Sequence, residues 1–291
     1  MAAQIDLEIT KKNEEQSNML ANRIENAARN ATAVPDEQYY DGWLLRFSEE
    51  PTKRTRSIYA VDLISGSQDL NARLSRCEQI YAQKGLPMAV RLTSLENHKA
   101  LEHELAIRGY ERGEETVVMV RKLDAPLSSI IATPNGSPCV TLERTAFSEI
   151  LGRLKRSDEN VIKAHSKRLA ALEIDVLPRC IQRSDEPIAV GLAALEDDLV
   201  GVFDVAVASS HRRKGWGGLL VCQLMADAAG RGARYAYLQV DASNQTACRL
   251  WRRLGFQDLY TYWYRCEPSA LTGRNPTSSK KAATIEQASE D

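Results

Sequence analysis

The stretch DVAVASSHRRKGWGGLL, residues 204–220, decides how this chain is read. It leaves an apolar strand, Val200 to Val207, crosses a polar turn, and enters a helix that begins with small residues. Arg212, Gly215 and Gly217 space out an R-x-x-G-x-G loop. Glycines let backbone amides approach a ligand with no Cβ in the way. Those amides and the N-terminus of the helix together make a concave donor site of positive potential. Arg212, Arg213 and Lys214 add full charges, and the group this chemistry suits is a pyrophosphate. Other phosphate loops fail on spacing, because the chain has neither G-x-x-x-x-G-K-S/T nor a dinucleotide G-x-G-x-x-G.

Working outward, the helix is predicted from Gly215 to Gly230, followed by the strand YAYLQV, a helix from Asn244 to Leu254 ended by Gly255, and the strand QDLYTYWYRC. From Pro268 the composition turns to Ser, Thr, Lys and Ala without periodicity, the pattern of a disordered tail. On the other side, residues 145–173 are predicted as one helix, with Phe147, Ile150, Leu151 and Leu154 on one face. The strands VLPRCIQ and PIAVGLAAL follow. This unit starts at Val140, after DAPLSSIIATPNGSP at 124–138, whose prolines and Asn-Gly mark a boundary.

The first thirty residues read as a polar amphipathic helix carrying Ile5, Met19, Leu20 and Ile24, broken at Val34-Pro35-Asp36. YYDGWLLRF, residues 39–47, reads as one strand, and TKRTRSIYAVDL at 52–63 as its partner. A helix over 69–84 with Leu70, Leu74, Cys77 and Tyr81 on one face precedes the strand LPMAVRLT. A helix around His98 to Ile107 stops at Arg108-Gly109, and TVVMVRKL closes the unit. The two halves share an order of helix, glycine, strand, helix, then L-x-x-R-G-Y or W-R-R-L-G-F, then strand. An internal repeat of one α/β unit is the economical reading.

Composition narrows the classes. The 291 residues are 43% hydrophobic and 26% charged with a formal charge of −1, which suits a soluble chain of two ordinary domains and gives no basic excess for nucleic acid. Six scattered cysteines, Cys77, Cys139, Cys180, Cys222, Cys248 and Cys266, form no C-x-x-C pair and have no His at zinc spacing, so no metal is expected. No secretory leader and no membrane-spanning run is read, which makes the cytoplasm the expected location.

The 204–220 segment resembles the cofactor loop of the GNAT superfamily of N-acetyltransferases, Q/R-x-x-G-x-G/A. The later LQVDASNQTACRLWRRLGF is similar to that superfamily's L-x-V…N-x-x-A-x-x-L-Y-x-x-L-G-F block in order and distance. The resemblance implies an α/β fold with a mixed sheet and two tandem GNAT-like domains, the C-terminal one complete. It divides the chain into a helical segment at 1–30, a degenerate GNAT-like domain at 31–125, a linker at 126–137, a catalytic domain at 138–267, and a tail at 268–291. Acetyl-CoA is the implied co-substrate. Its pyrophosphate is expected on Arg212, Arg213, Lys214, Gly215, Trp216, Gly217 and Gly218, and its pantetheine arm along the backbone of Val205 and Val207. Asn244 is expected either to hold that arm or simply to cap its helix. In the first half, Ile64-Ser65-Gly66-Ser67-Gln68-Asp69 stands where the loop would be, with one glycine and no cation, so no second CoA site is expected.

The resemblance departs at Trp251, which stands where many of these enzymes place a tyrosine that protonates the leaving thiolate. Tyr260, Tyr262 and Tyr264 share a face of the last strand, and Tyr262 is taken as the substitute acid; sheet packing is the bland alternative. Asp204, within an apolar strand, is the side-chain candidate for the base, against a solvated residue on an exposed face. His211 reads as a loop residue, and His103-Glu104 lacks a second metal-binding His. The expected reaction is acetyl transfer to a primary amine, of a small molecule or a protein, by direct attack in a ternary complex. A non-catalytic CoA-binding module, a longer acyl chain and a homodimer stay open. The run Lys53-Arg54-Thr55-Arg56 would favour an acceptor bearing a carboxylate or phosphate, with a solvated surface run as the alternative.

Overall fold

The computed structural model describes residues 2–48, 50, 52–61, 69–124 and 139–268, with side chains from residue 14 onward. The expected 124–138 boundary from residue 125, the 62–68 stretch and the tail beyond residue 268 lie outside the described residues. The fold is mixed α/β, in two compact units that do not follow chain order. The first unit joins Met1–Pro35, Thr93–Glu96 and Glu115–Tyr262; the second joins Asp36–Leu92, Asn97–Glu114 and Trp263–Asp291.

The first unit is built on seven strands: β6 (Thr116–Lys122), β7 (Cys139–Thr141), β8 (Asp175–Arg183), β9 (Glu186–Glu196), β10 (Leu199–Val207), β11 (Tyr235–Asp241) and the first part of β12 (Gln257–Cys266). They pair in the order β12, β6, β11, β10, β9, β8, β7, antiparallel throughout except β10 with β11. That parallel pair needs a crossover, and α6 (Trp216–Ala229) supplies it. Leu220, Val221, Leu224 and Met225 recur at helical spacing and pack with Val200, Val202, Ala236 and Leu238 in one core. α7 (Gln245–Arg253) adds Cys248 to it, and Leu254 and Phe256 follow just beyond the helix.

Three expectations change. The helix predicted over 145–173 is two, α4 (Arg144–Lys155) and α5 (Glu159–Ala171), because Arg156 turns left-handed at φ 57° and ends the first. The helix α1 (Ala2–Asn30) buries Ala21, Ile24, Ala27 and Ala28, with Ala31 buried just beyond it, while Met19 faces solvent. In the second unit, the single strand expected at 39–47 is a hairpin of β1 (Asp36–Tyr40) and β2 (Trp43–Phe47). Asp41 and Gly42 make its turn at φ 45° and 83°, the positive pair that a two-residue hairpin loop demands.

The second unit continues with β3 (Ile58–Tyr59), antiparallel to β2, and β4 (Ala89–Thr93), parallel to β3 across α2 (Leu70–Gln83). Asp69 caps α2 through the amide of Ala72. α3 (Lys99–Ile107) ends at Gly109, φ 81°, as the Arg108-Gly109 signal predicts. The last residues of β12 pair with β5 (Glu111–Arg112).

The strand β6, which the sequence places with the first half, lies hydrogen-bonded between β11 and β12 and gives Val117 and Met119 to the first unit's core. A chain of residues 138–268 alone lacks α1 and β6, leaving β11 with an unpaired apolar edge. Thermal denaturation of that fragment should show no cooperative transition, and a sharp reversible melt would contradict this division of the sheet.

Candidate active site

The ladder between β10 and β11 runs only from Leu199↔Tyr235 to Val202↔Leu238, yet β10 continues to Val207 and β11 to Asp241. The two strands part, and each holds its outer neighbour, β9 on one side and β6 on the other. Backbone groups of the diverging segments are thereby turned toward a cleft in the middle of the sheet. The cause is a bulge on β10 between Phe203 and Ala206, where Asp204 has φ 52°. A left-handed aspartate costs on the order of 1 kcal/mol, and short polar side chains tolerate it best.

Gly201 sits at the last turn of the paired ladder. A Cβ there would fall 2.4 Å from Phe203 Cε2 and 2.5 Å from the Tyr237 hydroxyl. These rings meet edge-on at 5.9 Å and pack under the mouth of the cleft, so Gly201 is required by close approach.

Beyond Val207 the chain makes a single 3-10 turn at Ser209–His211 and reaches α6 at Gly215, φ 85°. Arg213 is also left-handed, φ 60°. Arg212 Nε donates to the Val207 carbonyl at 3.2 Å and Lys214 Nζ to the Ser210 carbonyl at 3.0 Å, which fold the loop over its own strand. None of Arg212, Arg213 and Lys214 has a carboxylate partner among the described residues. A Cβ on Gly215 would meet nothing within 4 Å, and one on Gly217 only Val207 Cγ2 at 3.5 Å. The start of α6 therefore offers open amides, open space and three uncompensated cations, a donor set that fits an anionic diphosphate. Trp216 differs in role from its neighbours: its indole is buried in the core, so only its backbone faces the loop.

Asp204 does not stand alone in an apolar strand. Its Oδ1 accepts from Lys155 Nζ at 3.2 Å, and its Oδ2 lies 3.2 Å from His165 Nε2. His165 Nδ1 is 2.9 Å from Ser148 Oγ, which in turn lies 3.1 Å from the Arg144 carbonyl. α4 and α5 thus bring Ser148, Lys155 and His165 to the bulge, a constellation that sequence reading missed. The signal was present in α5, where His165, Arg168 and Leu169 form one buried face at spacings of three and four. A histidine on such a face ordinarily reads as core.

The remaining candidates divide. Asn244 is exposed and caps α7, its Oδ1 accepting from Ala247 N at 3.1 Å, so the capping alternative is realised and the amide nitrogen still points free of that bond. Tyr262 is buried and donates to Gln239 Oε1 at 2.9 Å; Tyr260 bonds Glu25. Tyr264 belongs to the second unit and bonds Arg91. The three hydroxyls therefore serve three separate partners. Trp251 packs edge-on against Phe256 at 6.5 Å. His211 bonds Ser210 within the loop, and no group of three or more metal-ligating side chains occurs among the described residues. Replacing Gly201 by Ala should cost about 1–3 kcal/mol, because two packed rings must move. Guanidinium unfolding measures it, and an unchanged midpoint would mean the rings are not fixed as described.

Residues 21–265 match the family described as "Probable histone acetyltransferase Rv0428c C-terminal". The chain is 26% identical over 231 residues to the "Uncharacterized N-acetyltransferase YobR" of Bacillus subtilis (strain 168), covering 77% of this chain and 89% of that protein. Among solved structures it is similar to a GCN5-related N-acetyltransferase from Kribbella flavida, with a TM-score of 0.63 at 17% identity over 87% of this chain and 95% of that one. It is also similar to a tandem GNAT protein from the clavulanic acid biosynthesis pathway, with a TM-score of 0.57 at 13% identity over 75% and 76%. The parted strands, the glycine-opened helix start and these matches agree, and the chain belongs to this acetyltransferase family within the GNAT superfamily.

Proposed function

We propose that the chain transfers an acetyl group from acetyl-CoA to a primary amine by direct attack in a ternary complex. The observation that carries this reading is the parting of β10 from β11 directly ahead of the uncompensated loop at Arg212–Gly218. The loop amides and its three cations would hold the pyrophosphate. The backbone of Val205 and Val207 would hydrogen-bond the pantetheine arm, and the Asn244 amide would steady it. Bound acetyl-CoA would supply a thioester carbonyl, and backbone N–H groups at the mouth of the cleft would polarise it. The thiolate that departs is a good leaving group without a dedicated acid, which suits a Tyr262 already committed to Gln239.

Asp204 is the proposed base. Lys155, about half exposed, can leave its oxygen when an acceptor ammonium takes that place. A hydroxyl has one proton, so Ser148 donates either to His165 Nδ1 or to the Arg144 carbonyl. In the first state His165 is neutral and its Nε2–H donates to Asp204. In the second, Nδ1–H donates to Ser148 and Ser148 to Arg144, which leaves Nε2 as an acceptor facing Asp204. His165 acts through Asp204 and is a positioning residue.

With the full chain and an amine panel, Asp204→Asn should lower kcat by about 10²–10⁴-fold while acetyl-CoA affinity holds. His165→Gln should lower kcat and displace the acid limb of the kcat/KM profile, with KM for acetyl-CoA unchanged. Full activity in Asp204→Asn removes it from the mechanism, and a His165→Gln profile superimposable on the wild type removes the relay.

A further inference from the structure

Lys155 is the last residue of α4, and Arg156 at φ 57° turns the chain away behind it. Its Nζ donates to Asp204 Oδ1 at 3.2 Å, with 45% of the lysine side chain exposed against 17% for the aspartate. His165 Nε2 holds the other carboxylate oxygen at 3.2 Å, so the acid is fixed on its buried side and meets Lys155 on its open side. Asp204 stands on the bulge, two residues past Val202, the last residue of β10 paired with β11. At ~3.3 Å per strand residue, that lies roughly 7 Å into the parted segment.

A half-exposed ion pair of this kind contributes at most about 1 kcal/mol to folding, so stability gives Lys155 little reason to be there. Chemistry gives a better one. A general base must lie within about 2.6–3.2 Å of the nitrogen whose proton it takes, and Lys155 already places a primary amine at that distance. An amine tethered to the chain also needs no encounter with the site. Lys163 provides the contrast: its Nζ is 2.7 Å from Glu159 and its side chain is 70% exposed, on the outer face of α5. The two lysines share the same local chemistry, an ammonium on a carboxylate, and differ in their place relative to the cleft.

We propose that Lys155 is a self-modification site, acetylated by its own chain when no acceptor amine is present. The inference rests on the acetyl-transfer reading, with Asp204 as the base. Asp204 takes one proton from the Lys155 ammonium, and the freed lone pair forms the N–C bond to the thioester carbonyl. The C–S bond breaks, and the departing thiolate takes a second proton from the nitrogen, which keeps one as an amide N–H. The products are acetyl-Lys155, CoA thiol and one proton left on Asp204 for solvent. Acetylation removes the lysine's charge, so the ion pair is lost and Asp204 Oδ1 opens to an incoming ammonium.

Incubating the full chain with acetyl-CoA and no acceptor, then mapping acetyl-lysine by peptide mass spectrometry, tests it. Lys155 should be acetylated about 10²-fold or more faster than Lys163, at a rate that does not change when the protein is diluted. Asp204→Asn, which tolerates the same left-handed backbone, should bring Lys155 down to the rate of Lys163. Acetic anhydride needs no cleft, and it should label the more exposed Lys163 at least as fast as Lys155. The dilution and anhydride comparisons use the unaltered chain, so they decide the matter even where a variant fails to fold. Turnover of an amine panel, measured on the same preparation, separates the two readings. Panel turnover with Lys155 labelled no faster than Lys163 would overturn self-acetylation and leave acetyl transfer standing; neither turnover nor labelling would overturn both. A Lys155 preference that anhydride reproduces, or that survives Asp204→Asn, would overturn the proposal as well.

Discussion

The structure depends on one constraint in the middle of a sheet: β10 and β11 are paired at one end and forced apart at the other. A bulge turns Asp204 left-handed and swings β10 toward β9, while β6 holds β11 on the far side. A parallel pair normally continues until one strand ends, because an unmade ladder bond in an interior costs free energy. Here both strands run on past Val202 and Leu238. The backbone groups left over are what a ligand with an amide arm would satisfy, and the left-handed Asp204 is held by bonds to Lys155 and His165.

Holding the strands apart requires packing on both faces. The apolar face of α6 clamps β10 and β11 from one side through Leu220, Leu224 and Met225. α4 and α5 bury Phe147, Leu151 and Leu169 outside that core and bring Ser148, Lys155 and His165 to the bulge. The same helices thus support the fold and deliver the side chains that set the chemistry of Asp204. β6 comes from the first half of the sequence, so the first unit cannot be cut out of the chain at residue 138 without opening its sheet.

The sequence carried the strand–loop–helix order of residues 200–230 plainly, because apolar alternation, a polar turn and a glycine-rich helix start use three different signals at once. The end of α7 was legible for the same reason, with Gly255 at φ 82° taking the left-handed cap. Other features were hidden. Asp41-Gly42 is a hairpin turn whose signal the sequence does carry, overshadowed by the apolar and aromatic residues on both sides. Arg156 breaks a helix without glycine or proline, so periodicity ran straight through it. The Asp204–His165–Ser148 contact spans three elements far apart in the chain, and no local pattern encodes such a meeting.

The proposed acetyl transfer needs a single CoA site, at the start of α6. Calorimetric titration of the full chain with CoA should give one molecule bound per chain. In Gly217→Val, which the structure accommodates beside Val207 with a small shift, that binding should fall by at least a few kcal/mol as the branched side chain fills the phosphate's place. Two equivalent sites, or unchanged affinity in a folded Gly217→Val protein, would contradict it.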